Sequence, residues 1–204
     1  MISGLYSVAA ISRQRIGLFG GSFNPAHDGH VAVSEEALKR LQLDQVWWLV
    51  SPQNPLKDSR DTGDFRARLA HARTLTGNPR LVVTGLEAEL GTRTTAQTFG
   101  VLAPMFQHSR FVWIMGADSF AGLHRWNDWR QIPATLPLAV FARPGWTQRA
   151  LSSPAARLLA DHRLDAEDAG QLADRAAPAW CFLNMPLRYE SSTAIRNGNA
   201  RQNS

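Results

Sequence analysis

The chain predicts an α/β fold, a doubly wound parallel sheet of about six strands in a single domain, on three observations. Short apolar runs of strand length recur along it, helix-like stretches separate them, and each run is apolar throughout instead of on alternate residues. Continuous apolar character marks strands covered on both faces, and alternation with helices marks parallel pairing. In such sheets ligands sit beyond the carboxyl ends of the strands, and the unusual polar sequences of this chain all fall just after strands.

Taken in order, Ile16-Gly17-Leu18-Phe19 is the first strand, ended by Gly20-Gly21. A helix follows from Gly29 to about Leu41, with Val31, Ala32, Ala37, Leu38 and Leu41 on its apolar side. Val46 to Val50 is the second strand, closed by Ser51-Pro52. Asp64 is placed to cap a helix from Phe65 to Leu75, which Gly77-Asn78-Pro79 ends. Leu81 to Thr84 is the third strand, Thr95 to Met105 a helix and Phe111 to Met115 the fourth strand. Leu138 to Phe141 is the fifth, stopped by Arg143-Pro144-Gly145, and Trp180 to Leu183 the sixth. The Ala-rich stretch from Gln148 to Ala177 reads as helical, and Ser192 to Asn197 as a last short helix. Residues 1–14 lack both a charged lead and a continuous apolar segment of signal type, so they read as an N-terminal extension to a domain spanning 15–204.

Composition narrows the chemistry. The net charge is +5, but the cations are dispersed and dominated by arginine, with Lys39 and Lys57 the only lysines. That distribution suits a phosphorylated small molecule better than nucleic acid. No stretch of 18 apolar residues exists, so no membrane span is expected and a cytoplasmic location follows. The one cysteine, Cys181, lies in an apolar strand and reads as a buried small hydrophobe, which excludes an internal disulfide or a cysteine-based metal cluster.

The segment Gly20-Gly21-Ser22-Phe23-Asn24-Pro25-Ala26-His27-Asp28-Gly29-His30 carries the chemistry. Its two glycines allow a tight turn and close approach of backbone to ligand. His27 and His30, three apart, share one side of an opening helical turn, where unpaired N–H groups and the helix dipole suit phosphate oxygens. A zinc site would need a third ligand, and His71, His108, His124 and His162 are scattered and read as surface or packing residues. Neither a dinucleotide Gly-x-Gly-x-x-Gly nor a Gly-Lys-Ser/Thr phosphate loop is present.

Those residues resemble the His-x-Gly-His signature of the nucleotidylyltransferase superfamily. Ser192-Thr193-Ala194-Ile195-Arg196 resembles the Ser-Thr-x-Ile-Arg segment near the end of nicotinate-nucleotide and related adenylyltransferases, in which hydroxyls cap a helix facing a polyphosphate. Ser51 to Lys57, Thr94 to Thr98, Gly116-Ala117-Asp118-Ser119 with Trp126 and Trp129 downstream, and Arg143-Pro144-Gly145 are similar to that family in order and spacing. The likeness covers roughly residues 16 to 198 and implies a Rossmann-like fold. It departs at Asn24, where many members carry Asp, at Leu56 (His), at Thr94 (Tyr) and at Glu190 (Ile).

The resemblance implies adenylyl transfer from ATP to nicotinate mononucleotide, giving deamido-NAD and pyrophosphate, with Mg²⁺ held through the ATP phosphates and no metal ligand from the protein. It implies catalytic roles for His27, His30, Lys57 and Arg196. ATP would be bound by Gly20, Gly21, Ser22, Phe23, Gly116, Asp118, Arg143, Ser192 and Thr193. The nicotinate nucleotide would be bound by Thr94, Thr95, Ala96 and Trp126, with Trp129 as packing. Its rivals are a sister enzyme with another acceptor such as phosphopantetheine, and a nucleotide-binding regulator without catalysis. No nucleic acid or membrane partner is implied.

Overall fold

All six apolar runs become strands, and a short seventh joins them at one edge. The structure is a computed structural model describing residues 13–52 and 63–186, with Ser192 and Ile195. The strands are β1 (Arg15–Gly21), β2 (Gln45–Val50), β3 (Leu81–Thr84), β4 (Arg110–Gly116), β5 (Leu138–Phe141), β6 (Arg163–Leu164) and β7 (Trp180–Leu183). They form one sheet in the order β3-β2-β1-β4-β5-β7-β6, every pair parallel.

Strand period two sends alternate residues to opposite faces, and here both faces are covered. Ile16, Leu18, Trp47, Leu49, Trp113 and Met115 enter one core, while Phe19, Val46, Trp48, Val50, Val112 and Ile114 enter the other. The neighbouring Trp47 and Trp48 thus anchor opposite cores, both fully buried. Cys181 is buried too, and burial pushes its thiol up to about 12, which leaves it protonated and inert.

The helices are α1 (Asp28–Arg40), α2 (Phe65–Leu75), α3 (Leu86–Leu90), α4 (Thr95–Met105), α5 (Ala117–Gly122), α6 (Gln131–Thr135), α7 (Thr147–Leu151) and α8 (Pro154–Leu158). The bounds of α2 and α4 are those expected; Asp64 caps α2 by accepting from the Ala67 N–H at 2.9 Å. Two expectations are corrected. Gln148 to Ala177 is not one helical stretch: Ser152-Ser153-Pro154 stops α7 and restarts the chain as α8, which Ser153 caps. After it come 3₁₀ turns at Ala160–His162 and Ala166–Asp174, with β6 between them, so the sheet has seven strands instead of about six. β6 is a two-residue edge strand, too short to leave an apolar run. Of the expected terminal helix, Ser192 and Ile195 are helical and the rest lies outside the described residues.

Candidate active site

The strand order reverses between β1 and β4: from β1 the chain winds outward through β2 to β3, and from β4 through β5 towards β7. Loops leaving the carboxyl ends of those two central strands diverge and open a crevice, the place where open α/β sheets bind ligands. The loop after β1 is Ser22 to His27, and the one after β4 leads directly into α5 through Gly116.

The β1 loop approaches the sheet closely. Gly20 lies against the Trp113 ring so tightly that a Cβ there would overlap it. Phe23 takes a positive φ of 45° and lays its ring on Trp48, centroids 4.8 Å apart and planes 10° from parallel. His30 stands over this aromatic floor, 4.9 Å from Phe23 and 5.9 Å from both Phe19 and Trp48. A buried relay fixes the turn that bears it: the Trp48 Nε1–H donates to Ser34 Oγ at 2.7 Å, and the Ser34 hydroxyl donates to the His30 carbonyl at 2.9 Å.

His27 is the N-cap of α1 and is buried at 6% exposure, while His30 is half-buried; their ring centroids are 3.9 Å apart. The turn is closed reciprocally. The His30 N–H donates to the His27 carbonyl at 2.8 Å, and the His27 N–H donates to His30 Nδ1 at 3.2 Å. Because Nδ1 accepts, the neutral ring carries its proton on Nε2. Burial first, then the neighbouring His27 and Arg143, push the His30 pKa down from 6.5 to about 3. At pH 7 His30 is therefore uncharged, with an N–H on Nε2 to donate.

Asp118, in the first turn of α5, pairs with Arg143 from the turn after β5 (Oδ2 to Nη1 3.1 Å). Gly116 makes room for both: a Cβ there would collide with Asp118 Oδ1 and press on Arg143. The far end of the chain reaches the same place, since the Ser192 hydroxyl donates to the Pro25 carbonyl at 2.8 Å. The two sequence signatures, 167 positions apart, are thus in direct contact. Lys57, Thr193 and Arg196 lie outside the described residues.

Thr94 caps α4, accepting from the Gln97 N–H at 3.3 Å. The first-turn N–H groups of Thr95 and Ala96 have no acceptor within the helix. Trp126 and Trp129 are both half-buried against the core on the α4 side of the sheet, so packing alone does not single out Trp126. The other histidines are exposed or half-buried as expected, although His71 donates from Nε2 to the Ala26 carbonyl at 3.1 Å and so braces the β1 loop.

Sequence reasoning missed Ser51 as a hub, and with it Arg68 and Glu87. The Ser51 N–H donates to the Gly21 carbonyl at 2.9 Å, and its own carbonyl accepts from Arg68 Nη1 at 2.9 Å. The Ser51 hydroxyl faces the Glu87 carboxyl, which also meets the Thr98 hydroxyl of α4 at 3.5 Å. Burial raises the Glu87 pKa to about 7, against the opposing pull of hydrogen bonds from Thr98 and Ser51. One polar thread thus links the β1 loop on one face of the sheet to α4 on the other. Arg68 was visible as a cation spaced three from Phe65 and four from Ala72, inside the apolar stripe of α2; for Glu87 no local signal exists.

Comparison with known proteins places this fold in a family. The cytidylyltransferase-like family matches residues 18–198. A relative from Cereibacter sphaeroides, described as a probable nicotinate-nucleotide adenylyltransferase, is 55% identical over 181 residues, covering 89% of this chain and 95% of that one. One of the same description from Rhizobium meliloti is 52% identical over 182 residues, covering 89% and 97%. The fold is shared with a solved Plasmodium falciparum nicotinic acid mononucleotide adenylyltransferase complexed with NaAD, at TM-score 0.69 and 14% identity, over 90% of this chain and 83% of that one.

Proposed function

This chain belongs to the cytidylyltransferase-like family and, within it, to the nicotinate-nucleotide adenylyltransferases, and from that premise we propose how its residues work. The enzyme transfers the adenylyl group of ATP to nicotinate mononucleotide, giving deamido-NAD and pyrophosphate. The phosphate oxygen of the mononucleotide attacks the α-phosphorus of ATP, a new P–O–P bond forms, and the bond to the β-phosphate oxygen breaks with its electron pair. The observation that carries the residue assignment is the His27–His30 pair, packed 3.9 Å apart at the mouth of the switch-point crevice.

A phosphomonoester has a second pKa near 6, so the nucleophile is already a dianion at pH 7 and no base is required. A neutral His30 donating from Nε2 fits that demand: it stabilises charge developing on the phosphorus without taking a proton. The α1 N-terminus, capped by His27, adds N–H groups and dipole. Gly20, Gly21, Ser22 and Phe23 line the ATP side. Gly116, Asp118 and Arg143 line the opposite wall, and Ser192 with Thr193, Lys57 and Arg196 are assigned to the β- and γ-phosphates.

Mg²⁺ enters with ATP as part of the substrate. Among the described residues no trio of His, Cys, Asp or Glu converges to hold an ion, and Asp118 is engaged by Arg143. We assign the ion's ligands chiefly to phosphate oxygens and water, as suits its coordination habits. For the acceptor, we assign the nicotinate carboxylate to the N–H groups of Thr95 and Ala96, with Trp126 against the ring. Donors aimed at a carboxylate disfavour the amide, whose NH₂ brings only further donors. The working unit is residues 15–204, with 1–14 an extension. Among the described residues no helix is long and apolar enough to cross a membrane, and we place the enzyme in the cytoplasm, beside its ATP.

Pyrophosphate release decides the matter when ATP is mixed in parallel with nicotinate mononucleotide, nicotinamide mononucleotide and phosphopantetheine. The expected result is a kcat/KM for the acid above the amide by about 10²-fold or more, in the range seen for a mispaired polar group, and no turnover with phosphopantetheine. Comparable values for acid and amide would overturn the acceptor assignment.

A further inference from the structure

We infer that Arg68 is a positioning residue for the adenylyl transfer, fixing the β1 loop against the end of β2 through its guanidinium. The inference rests on the reaction proposed above. Arg68 is 4% exposed, and its hydrogen bonds go to four main-chain carbonyls. Nε donates to Gly63 at 2.8 Å, Nη1 to Ser22 at 2.5 Å and to Ser51 at 2.9 Å, and Nη2 to Pro52 at 3.0 Å. These carbonyls belong to three separate stretches: the β1 loop, the exit of β2 and the entry to α2. A buried arginine ordinarily meets a carboxylate; here the fork is spent on backbone.

The clamp bears on the chemistry through Ser22. Its carbonyl immediately precedes Phe23, whose ring rests on Trp48 and forms the surface on which His30 stands. Holding Ser22 therefore sets the height of that floor and the aim of the His30 Nε2–H. Pro52 and Gly63, eleven positions apart in the sequence, are thereby held by the same guanidinium. Only a planar fork with five donors reaches four carbonyls arranged this way; an ammonium has three donors on a single point.

Arg80 supplies the contrast. It too donates to two main-chain carbonyls, of Leu43 and Asp44, but at the opposite end of the sheet and from an exposed position. Arg80→Ala thus removes a comparable kind of bond far from the crevice.

The test compares the parent, Arg68→Ala, Arg68→Lys and Arg80→Ala by pyrophosphate release from ATP and nicotinate mononucleotide, with circular dichroism and Tm on each. Arg68→Ala should lose about 10²-fold in kcat, the cost of a misaimed catalytic group, with a smaller rise in KM for ATP. Arg68→Lys should fall between it and the parent, and Arg80→Ala should keep the parent kcat while its Tm drops. Guanidinium ion at tens of millimolar should restore about tenfold in kcat to Arg68→Ala alone, by refilling the vacated fork. A folded Arg68→Ala within about threefold of the parent kcat would overturn the inference, as would failure of the guanidinium response or an equal loss in Arg80→Ala. Should Arg68→Ala not fold, Arg68→Lys decides: an unchanged kcat overturns the inference and a loss of about tenfold supports it. A parent with no turnover on these substrates would instead defeat the proposed reaction, and this inference with it.

Discussion

The two ends of the sheet hold their charged groups differently, at the surface on one side and packed around the crevice on the other. At the amino end the cations lie at the surface: Asp174 takes both Arg15, at 2.6 Å, and Arg110, Asp44 accepts the Arg15 N–H at 2.7 Å, and the exposed Arg80 donates to the Leu43 and Asp44 carbonyls. At the carboxyl end Arg68 is spent on carbonyls, His27 and His30 are packed on each other with His30 also on aromatic rings, and Asp118 neutralises Arg143. Paired charges on an open surface contribute little to stability and nothing to chemistry. Positive and N–H-bearing groups held in place by backbone do the reverse: they leave an electrostatic deficit that a polyphosphate completes, and their rigidity spares the reaction the reorganisation that water would need.

The largest expected effect breaks that arrangement at its centre. His30→Ala should lower kcat by about 10² to 10⁴, the range for losing one preorganised donor to a transition state; near-normal kcat in a folded variant would remove His30 from the mechanism. His30→Asn, which still offers an N–H, should retain more activity than His30→Ala. Since His30 stays neutral down to about pH 3, the acid limb of kcat/KM for nicotinate mononucleotide should follow the phosphate ionisation near pH 6. It should survive unchanged in His30→Asn; a limb that vanished in that variant would show the ring titrating during turnover.

How much of this was legible in the sequence follows the same division. The central strands and α2 and α4 are written in local pattern, because burial on both faces demands unbroken apolar runs and caps stand at their expected positions. The histidine turn was legible because residue type and spacing act within one turn of chain. β6 was not, since a two-residue edge strand forms only because β7 lies beside it. Glu87 left no local signal, and Arg68 showed only as a cation out of place in the apolar stripe of α2; what each does was not legible, since their partners come from segments up to 46 positions away, and only the folded approach of Ser22 and Ser51 gives them meaning.

A smaller effect sharpens the comparison at the carboxyl end. Glu87 ionises near 4.5 when exposed and near 7 when folded, with burial the main cause. Between those values the folded state holds the extra proton, so this residue's contribution is intact below about pH 4.5 and is lost as pH rises through 7. Glu87→Gln should remove that slope, gaining on the parent by an order of 1–3 kcal/mol at pH 8 and by little at pH 4. His30 acts with the opposite sign, costing stability as pH falls below 6.5 because the unfolded chain takes a proton that the folded one refuses. Denaturant unfolding at several pH values separates the two; a Glu87→Gln gain independent of pH would mean the carboxyl is not titrating there.

The smallest effect belongs to the amino end. Asp174→Asn removes the anion shared by Arg15 and Arg110, whose side chains are 32% and 54% exposed, and leaves two cations side by side. Pairs that open to water are worth roughly 0.2–1 kcal/mol each and are screened by salt, so the loss should be about 1 kcal/mol at low ionic strength and shrink on adding salt. The kcat should not move, because Asp174 holds the first residues of β1 and β4, at the end of the sheet away from the crevice. If instead turnover dropped with stability, the two ends would be mechanically coupled through β1 and β4, whose first residues are Arg15 and Arg110 themselves, and the division of labour between a closed end and an open one would have to be abandoned.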